Sequence, residues 1–252
     1  MGCVQQDHRD DAPLQSTTND LRTDGNYINP CFDPSKRPEC EKQESFVNRT
    51  IHVPGYCDVT VTYTLWKCDD IFTIADLQWR FSSTDPECVD WLGSLQTDCY
   101  NSCTLNGTQP PMDPNCINNC IGDAFIQAEI DVHWYILDDY VRRTQNVNEI
   151  ASCDGGPNGK HFVRVRFFRE NCKLVCNAAS TSYYSPSDVE IHVCGGGCCE
   201  QGATYCVDND LNLMIKETYN NSDSMLCSDL VNLCENLYQQ TTISNCKPAT
   251  CN

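Results

Sequence analysis

The chain has 252 residues, 21 of them cysteine, and carries 17 Lys+Arg against 35 Asp+Glu, a formal net charge of −18. That length allows one large domain or two of ordinary size. The charge repels phosphate backbones and anionic membrane surfaces, so neither is an expected partner, while cation binding stays open.

Cysteine at about 8% of the chain marks a disulfide scaffold. The cytosol keeps thiols reduced, so an oxidising, extracellular compartment is expected. Zinc is the competing use of cysteine, but structural zinc sites usually supply a Cys-x-x-Cys pair and this chain has none. Twenty-one is odd, and Cys3 stands alone in a polar leader; setting it aside leaves 20 cysteines, enough for 10 bridges. Bridges worth ~2–4 kcal/mol each let the core be thin. No apolar run reaches the ~18 residues that cross a bilayer.

In chain order, residues 1–30 are rich in Gln, Asp, Ser, Thr and Asn and read as a flexible polar tether. Val4–Leu14 has neither the basic start nor the apolar centre of a secretory signal. With an oxidising compartment expected, the reading is that the signal is missing from the given sequence and Met1 is an added or misassigned start. Met1-Gly2-Cys3 matches the end of a bacterial lipobox, which makes Cys3 the lipidation candidate. It also matches an N-myristoylated start, which would need Ser or Thr where Gln6 stands, and a three-residue match by chance remains open.

Residues 31–145 form the first expected subdomain. Asp58–Trp66 alternates strictly, with Val59, Val61, Tyr63 and Leu65 on one face and threonines on the other. Ile71–Phe81 follows a turn-like Cys68-Asp-Asp, so an antiparallel hairpin with one buried face is expected, entered at Pro54-Gly55. Asp85-Pro86 and Asp113-Pro114 then each place a carboxylate at a helix N-cap and proline at the first helical position. Cys99, Cys103 and Cys116, Cys120 form two Cys-x3-Cys pairs, and cysteines at i and i+4 lie one above the other on a helix face. In an antiparallel hairpin the outer pair and the inner pair meet, which gives Cys99–Cys120 and Cys103–Cys116 across the linker 104–115. Over 124–137 the apolar residues fit a strand and also helical spacing; their β-branched content favours a strand.

The Gly/Pro/Asn-rich stretch at 144–160 marks a boundary, and residues 146–252 form a second disulfide-rich β subdomain. Phe162–Phe168, Asp188–Val193 and Ala203–Val207 read as strands, the last turning at Asp208-Asn-Asp210 into Leu211–Tyr219 as a hairpin. Asp223–Tyr238 reads as a short amphipathic C-terminal helix, with Cys246 and Cys251 stapling the tail back. The fold class is α+β: disulfide-rich antiparallel hairpins and sheet with a stapled helical hairpin.

Sites are sparse. Gly155–His161 lacks the length and the Ser/Thr of a phosphate loop and reads as a turn. Asp208, Asp210 and Asn212 alternate as in a calcium loop, but Leu213 stands at the glycine position and Tyr219 at that of the bidentate glutamate. No cofactor is therefore expected, with calcium as the alternative. His52, His133, His161 and His192 show no metal spacing, and there is no Gly-x-Ser-x-Gly or His-Glu-x-x-His. Cys198-Cys199 reads as two separate bridges meeting at a corner. Asn48, Asn106 and Asn220 begin glycosylation sequons at a frequency near chance. The one basic run holds Lys160, Arg164, Arg166, Arg169 and Lys173. It either captures an anionic glycan or partner or, the favoured reading, complements acidity within the chain at Asp123–Asp139.

Val53-Pro-Gly-Tyr-Cys57, Leu65-Trp-Lys-Cys68, Ile74–Trp79 and Cys194-Gly-Gly-Gly-Cys-Cys199 leading to Tyr205-Cys206 resemble segments of cysteine-rich secreted and surface proteins of Bacteroidota-type bacteria. The resemblance covers about a third of the chain and implies export and a lipoprotein or cell-surface role, with no defined activity. The twin Cys-x3-Cys hairpin alone resembles small mitochondrial intermembrane chaperones and plant hairpin peptides, which lack the β-rich remainder. The expected role is an extracellular cell-surface structural or binding protein. Its partner would be a protein or a second copy of itself, with a glycan as alternative, and it would touch a membrane only through a lipid anchor. The competing roles are a secreted hydrolase with a dispersed site and an inhibitor presenting the cystine-braced loop 104–114. A non-reducing peptide map should recover Cys99 with Cys120 and Cys103 with Cys116, and recovery of Cys99 joined to Cys103 would reject the hairpin.

Overall fold

The computed structural model describes residues 31–81, 85–103, 114–155, 160–170, 172–177, 189–193, 198–222, 241–242 and 247–248. The tether, the hairpin tip at 104–113 and the expected helix at 223–238 lie outside the described residues.

Strand β1 (Cys40–His52) pairs antiparallel with β2 (Asp58–Cys68) through a turn in which Gly55 takes φ 88°. Successive strand residues leave on opposite faces, so Val59, Val61, Tyr63 and Leu65 are all buried. Asp69 (φ 49°) and Asp70 (φ 65°) then form a two-residue turn with left-handed backbone, whose twist matches that of the flanking strands. The segment 71–81 returns along β2 in two pieces, β3 (Ile71–Ile74) and β4 (Gln78–Phe81). Between them the ladder is interrupted. There the Thr64 N–H donates to Asp76 Oδ1 at 3.0 Å, so a side chain supplies the acceptor that the strand does not. Asp76 is half-buried there, and its removal from water raises its carboxyl to about 6 against the hydrogen bonds from Thr64.

Helix α1 (Pro86–Cys103) starts at Asp85, whose Oδ1 accepts from the Glu87 N–H at 3.0 Å while Oδ2 accepts from the Asp58 N–H. One carboxylate thus caps the helix and fixes the start of β2, and the Cys57–Cys88 disulfide joins the same two elements. Helix α2 (Pro114–Thr144) is antiparallel to α1 and joined to it by Cys99–Cys120 and Cys103–Cys116.

The strand expected over 124–137 is not formed: α2 runs through it without a break. Ile126, Ala128, Ile130 and Val132 alternate, yet all are buried together with Ile121, Phe125, Ile136, Leu137 and Tyr140. The helix is covered on several sides, by α1, by β3 and β5 and by β6. A helix buried this broadly loses its single apolar stripe, so strand-like alternation carries no information about its period. Its last turn holds Arg142 and Arg143 against Asp138 and Asp139 at i, i+4, where cations also suit the helix C-terminus.

Strand β5 (Val163–Glu170) lies parallel to β3, with Ile71 opposite Arg164 and Ile74 opposite Phe167. Sheet hydrogen bonds therefore cross the 145/146 boundary. Strand β6 (Cys172–Asn177) follows β5 and centres a second sheet that contains β7 (Val189–Val193), β10 (Thr241–Thr242) and β11 (Lys247–Pro248). The first sheet continues through β8 (Cys198–Val207) to β9 (Leu213–Ser222), in the order β1-β2-β3-β5-β8-β9 with β4 beside β3 on β2. Long-range disulfides Cys31–Cys198 and Cys153–Cys206 fasten chain segments to β8. Every cysteine among the described residues is disulfide-bonded, and Cys198 and Cys199 belong to different bridges. No described helix is long and apolar enough to cross a membrane.

On the face of the sheet away from α2, Gly202 sits opposite Tyr219, and a Cβ there would run into the tyrosine ring. The Tyr219 hydroxyl continues to Glu200 at 3.0 Å. Gly202→Ala should therefore lower stability by about 1–3 kcal/mol in urea unfolding, as overpacking does. Adding Tyr219→Ala should remove the penalty of Gly202→Ala. An unchanged midpoint in the single variant would show that the ring yields at no cost.

Candidate functional site

Among the described residues, a cluster of chemistry-bearing side chains lies where α2 crosses the junction of β5 and β6. Lys173 Nζ stands 3.1 Å from Glu129 Oε1 and 3.2 Å from Glu170 Oε2, and Arg169 and His133 complete the cluster. All five are no more than 6% exposed. His133 Nδ1 contacts the Glu129 carbonyl at 2.8 Å, and the ring stacks on Phe167.

Burial alone would raise Glu129, but the attraction of Lys173 outweighs it and holds the carboxyl below the usual range. Burial likewise opposes the charge on Lys173, which Glu129 and Glu170 keep above its ordinary value. His133, pushed down to about 4 by burial, is neutral at physiological pH. Two carboxylates thus face two cations around a neutral ring, and the cluster balances its own charge. Carboxylates beside a histidine are the materials of acid–base chemistry, but that work requires reach to a substrate. These groups are enclosed, and they join α2 to both sheets.

The basic run divides in the structure. Arg169 belongs to the buried cluster. Arg166 lies half-buried on the opposite face of β5, donating to Thr73 Oγ1 at 3.0 Å and to Glu200 at 3.4 Å beside the stacked rings of Phe32 and Phe168. Intramolecular pairing is thus the arrangement for Arg166, Arg169 and Lys173. Glu129 lies within the acidic stretch 123–139 expected to receive these cations, and Glu200 lies outside it.

Lys160 and Arg164 are exposed and line a cleft of about 460 Å³ with Lys67, Asp70, His161 and Phe162. It is formed where the β2–β3 turn meets the start of β5. Lys67 Nζ pairs with Asp70 at 2.9 Å, and Lys216 Nζ sits 4.3 Å over the Phe162 ring. Hydrogen bonding from Lys67 chiefly lowers the Asp70 carboxyl, with smaller contributions from Arg164 and His161. On the β1 side Glu39, Glu41 and Asp69 line a neighbouring hollow, so basic and acidic surfaces adjoin at Lys67 and Asp70. Lys67 and Lys216 are not legible in sequence as neighbours of the basic run, because each comes from a separate segment in which it stands as a single cation, whereas His161 adjoins Lys160 in the run itself.

Of the remaining expectations, Cys3 lies outside the described residues. Asn48 and Asn220 are exposed, and Asn106 lies outside. Asp208 spends its carboxylate on closing the β8–β9 loop, accepting from the N–H groups of Asp210 and Asn212 and from the Asn212 side chain at 2.8–2.9 Å. Those bonds, first the Asn212 side chain, hold its carboxyl below the ordinary value. Cys57, Asp85 and Cys88 have the proximity of metal ligands, but the two sulfurs are bonded to each other and Asp85 caps α1. The chain matches no family model, no curated protein and no solved structure.

Two groups withdrawn from water, buried His133 and half-buried Asp76, give opposite pH signatures. His133, at about 4 against 6.5, stays unprotonated after the unfolded chain has taken up its proton, so its contribution is lost as pH falls from about 6.5 towards 4. Asp76, at about 6 against 3.8, holds its proton in the fold, so its contribution is present at low pH and lost as pH rises through about 6. Asp76→Asn keeps an acceptor for the Thr64 N–H and removes the second signature. The stability of this variant relative to wild type should rise by about 1.4 kcal/mol per pH unit between pH ~4 and ~6 in urea titrations. A difference independent of pH would show that Asp76 does not titrate there.

Proposed function

We propose that the chain is an extracellular cell-surface structural or binding protein that takes an anionic partner at the cleft of Lys67, Lys160, His161 and Arg164. The observation that carries this reading is the gathering of cations around the Phe162 ring on a chain of net charge −18. Disulfide density supports the compartment, since so many cystines suit an oxidising environment. The sheet supports the role: β2 and β5 hold Lys67 and Arg164 on paired backbone, and His161 is bridged to Ile150, so little ordering of these residues is needed on binding. An acidic protein surface, including that of a second copy, complements the cleft, with an anionic glycan as the alternative. Attachment through a lipid on Cys3 belongs to the same proposal.

Lys160→Glu with Arg164→Glu tests it on a column carrying a sulfated polysaccharide. Wild type should be retained and elute with salt, while the double variant should pass through with an unchanged melting temperature. Equal retention of both would reject the cleft. Loss of folding in the double variant would place these cations in the service of the fold instead.

A further inference from the structure

A second concavity, of about 260 Å³, lies between α2 and the terminal strand β9. Trp134 of α2, Gln201 of β8 and Ile215, Thr218 and Asn220 of β9 line it, and none of these carries a charge. Helix α2 packs over β3, β5 and β6, and β9 is the last strand of the sheet. Ile215, Thr218 and Asn220 are exposed, with Ile215 at 52%. Trp134 is half-buried and held edge-to-face against Phe167 at 5.1 Å, which fixes its plane.

Gln201 is the distinguishing residue. It is 2% exposed, and its Oε1 has no hydrogen-bond partner. A buried amide oxygen without a donor is costly, and it belongs beside a group able to supply one. Its cross-strand neighbour is Asn220, so two side-chain amides stand side by side on β8 and β9.

We propose that this groove binds a neutral saccharide. The lining selects the class. Sugar hydroxyls donate and accept at once, which suits the amides of Gln201 and Asn220 and the hydroxyl of Thr218. The apolar C–H face of a pyranose suits Trp134 and Ile215. An uncharged lining gives no attraction to an anion or a cation, in contrast to the basic cleft. The volume is below the ~300–1,000 Å³ of sites for larger ligands, so one ring would sit in it, and a longer glycan would extend along β9. This inference rests on the binding role proposed above, but not on the basic cleft.

The test uses the full disulfide-bonded chain, followed by NMR through the Trp134 indole N–H. The methyl glycosides of glucose, galactose, mannose and N-acetylglucosamine are titrated in turn. At least one should shift the Trp134 signal with a Kd on the order of 1 mM, as expected for a single ring. Gln201→Leu should weaken binding by about tenfold or more while the melting temperature stays level or rises, because the variant removes an unpaired buried amide. Should Gln201→Leu fail to fold, Thr218→Val, at an exposed strand position, should still weaken binding several-fold. The Lys160→Glu, Arg164→Glu variant should bind the saccharide unchanged, which separates the two sites. No shift with any glycoside up to tens of millimolar overturns the proposal. So does full affinity in Gln201→Leu, or in Thr218→Val where Gln201→Leu does not fold, and so does loss of saccharide binding in the charge-reversed variant.

Discussion

Lys173 is the point at which helix α2, the end of β5 and the second sheet meet. Its ammonium bridges a carboxylate from α2 and one from β5, and none of the three is solvated. Removing water from such ions costs several kcal/mol per ion, so the arrangement is stable only while every partner is present. That makes it a poor source of net stability but a strict condition on geometry. Helix α2 must pass with Glu129 at this place, and β6 must begin in the register that delivers Lys173. A shift of one residue along β6 would turn Lys173 to the other face. Apolar contacts such as Phe125 against Phe81 and Tyr140 against Phe72 make the helix adhere to the sheet; the ionic junction determines where.

The parts of this fold visible in sequence are those decided by neighbours along the chain. The alternation at Asp58–Trp66, the Asp-Pro starts of two helices and the i, i+4 cysteines that meet across the hairpin are all local. So is the Asp208 turn. The second half of α2 was not legible for a physical reason. Periodicity reports a boundary between water and core, and Ile126 to Tyr140 has core on several sides. Glu129 and His133 deepened the ambiguity, because charged or titrating residues mark a solvent face unless a distant partner receives them. The partner, Lys173, is 44 residues away. The basic run was legible only in part. Its five members look alike in sequence, and the pairing of strands sends Arg166, Arg169 and Lys173 to intramolecular partners and leaves Lys160 and Arg164 at the surface.

Cystines and charge divide the labour of the fold. Cys31–Cys198 closes a loop of sequence separation 167 and Cys153–Cys206 one of 53, so these bridges limit the unfolded chain far more than the 13-residue closure at the hairpin. With those constraints in place the chain tolerates a large acidic excess, whose self-repulsion would otherwise weaken a compact state. The excess in turn gives the few unpaired surface cations their significance. On a neutral protein, Lys160 and Arg164 would be ordinary surface residues. Here they gather attraction for an anion into one cleft, and they do so beside an aromatic ring already occupied by Lys216.

Two buried polar groups on the α2 side of the molecule make an instructive contrast. Lys173 is costly to bury and is met by two carboxylates. Gln201 is cheaper to bury, and nothing meets its carbonyl oxygen. A leucine or methionine would fill the same volume without that cost, and the neighbouring β8 positions on the same face, Ala203 and Tyr205, are buried largely in apolar surroundings. Packing therefore gives no reason for an amide at 201. Its place beside Trp134, Thr218 and Asn220, at the margin of the sheet where a cavity opens, does give one. A hydrogen-bonding group held rigidly in a half-apolar groove is weakly solvated and so loses little water when a matching hydroxyl arrives. The same burial that makes Gln201 unfavourable in the empty groove makes it selective in the filled one.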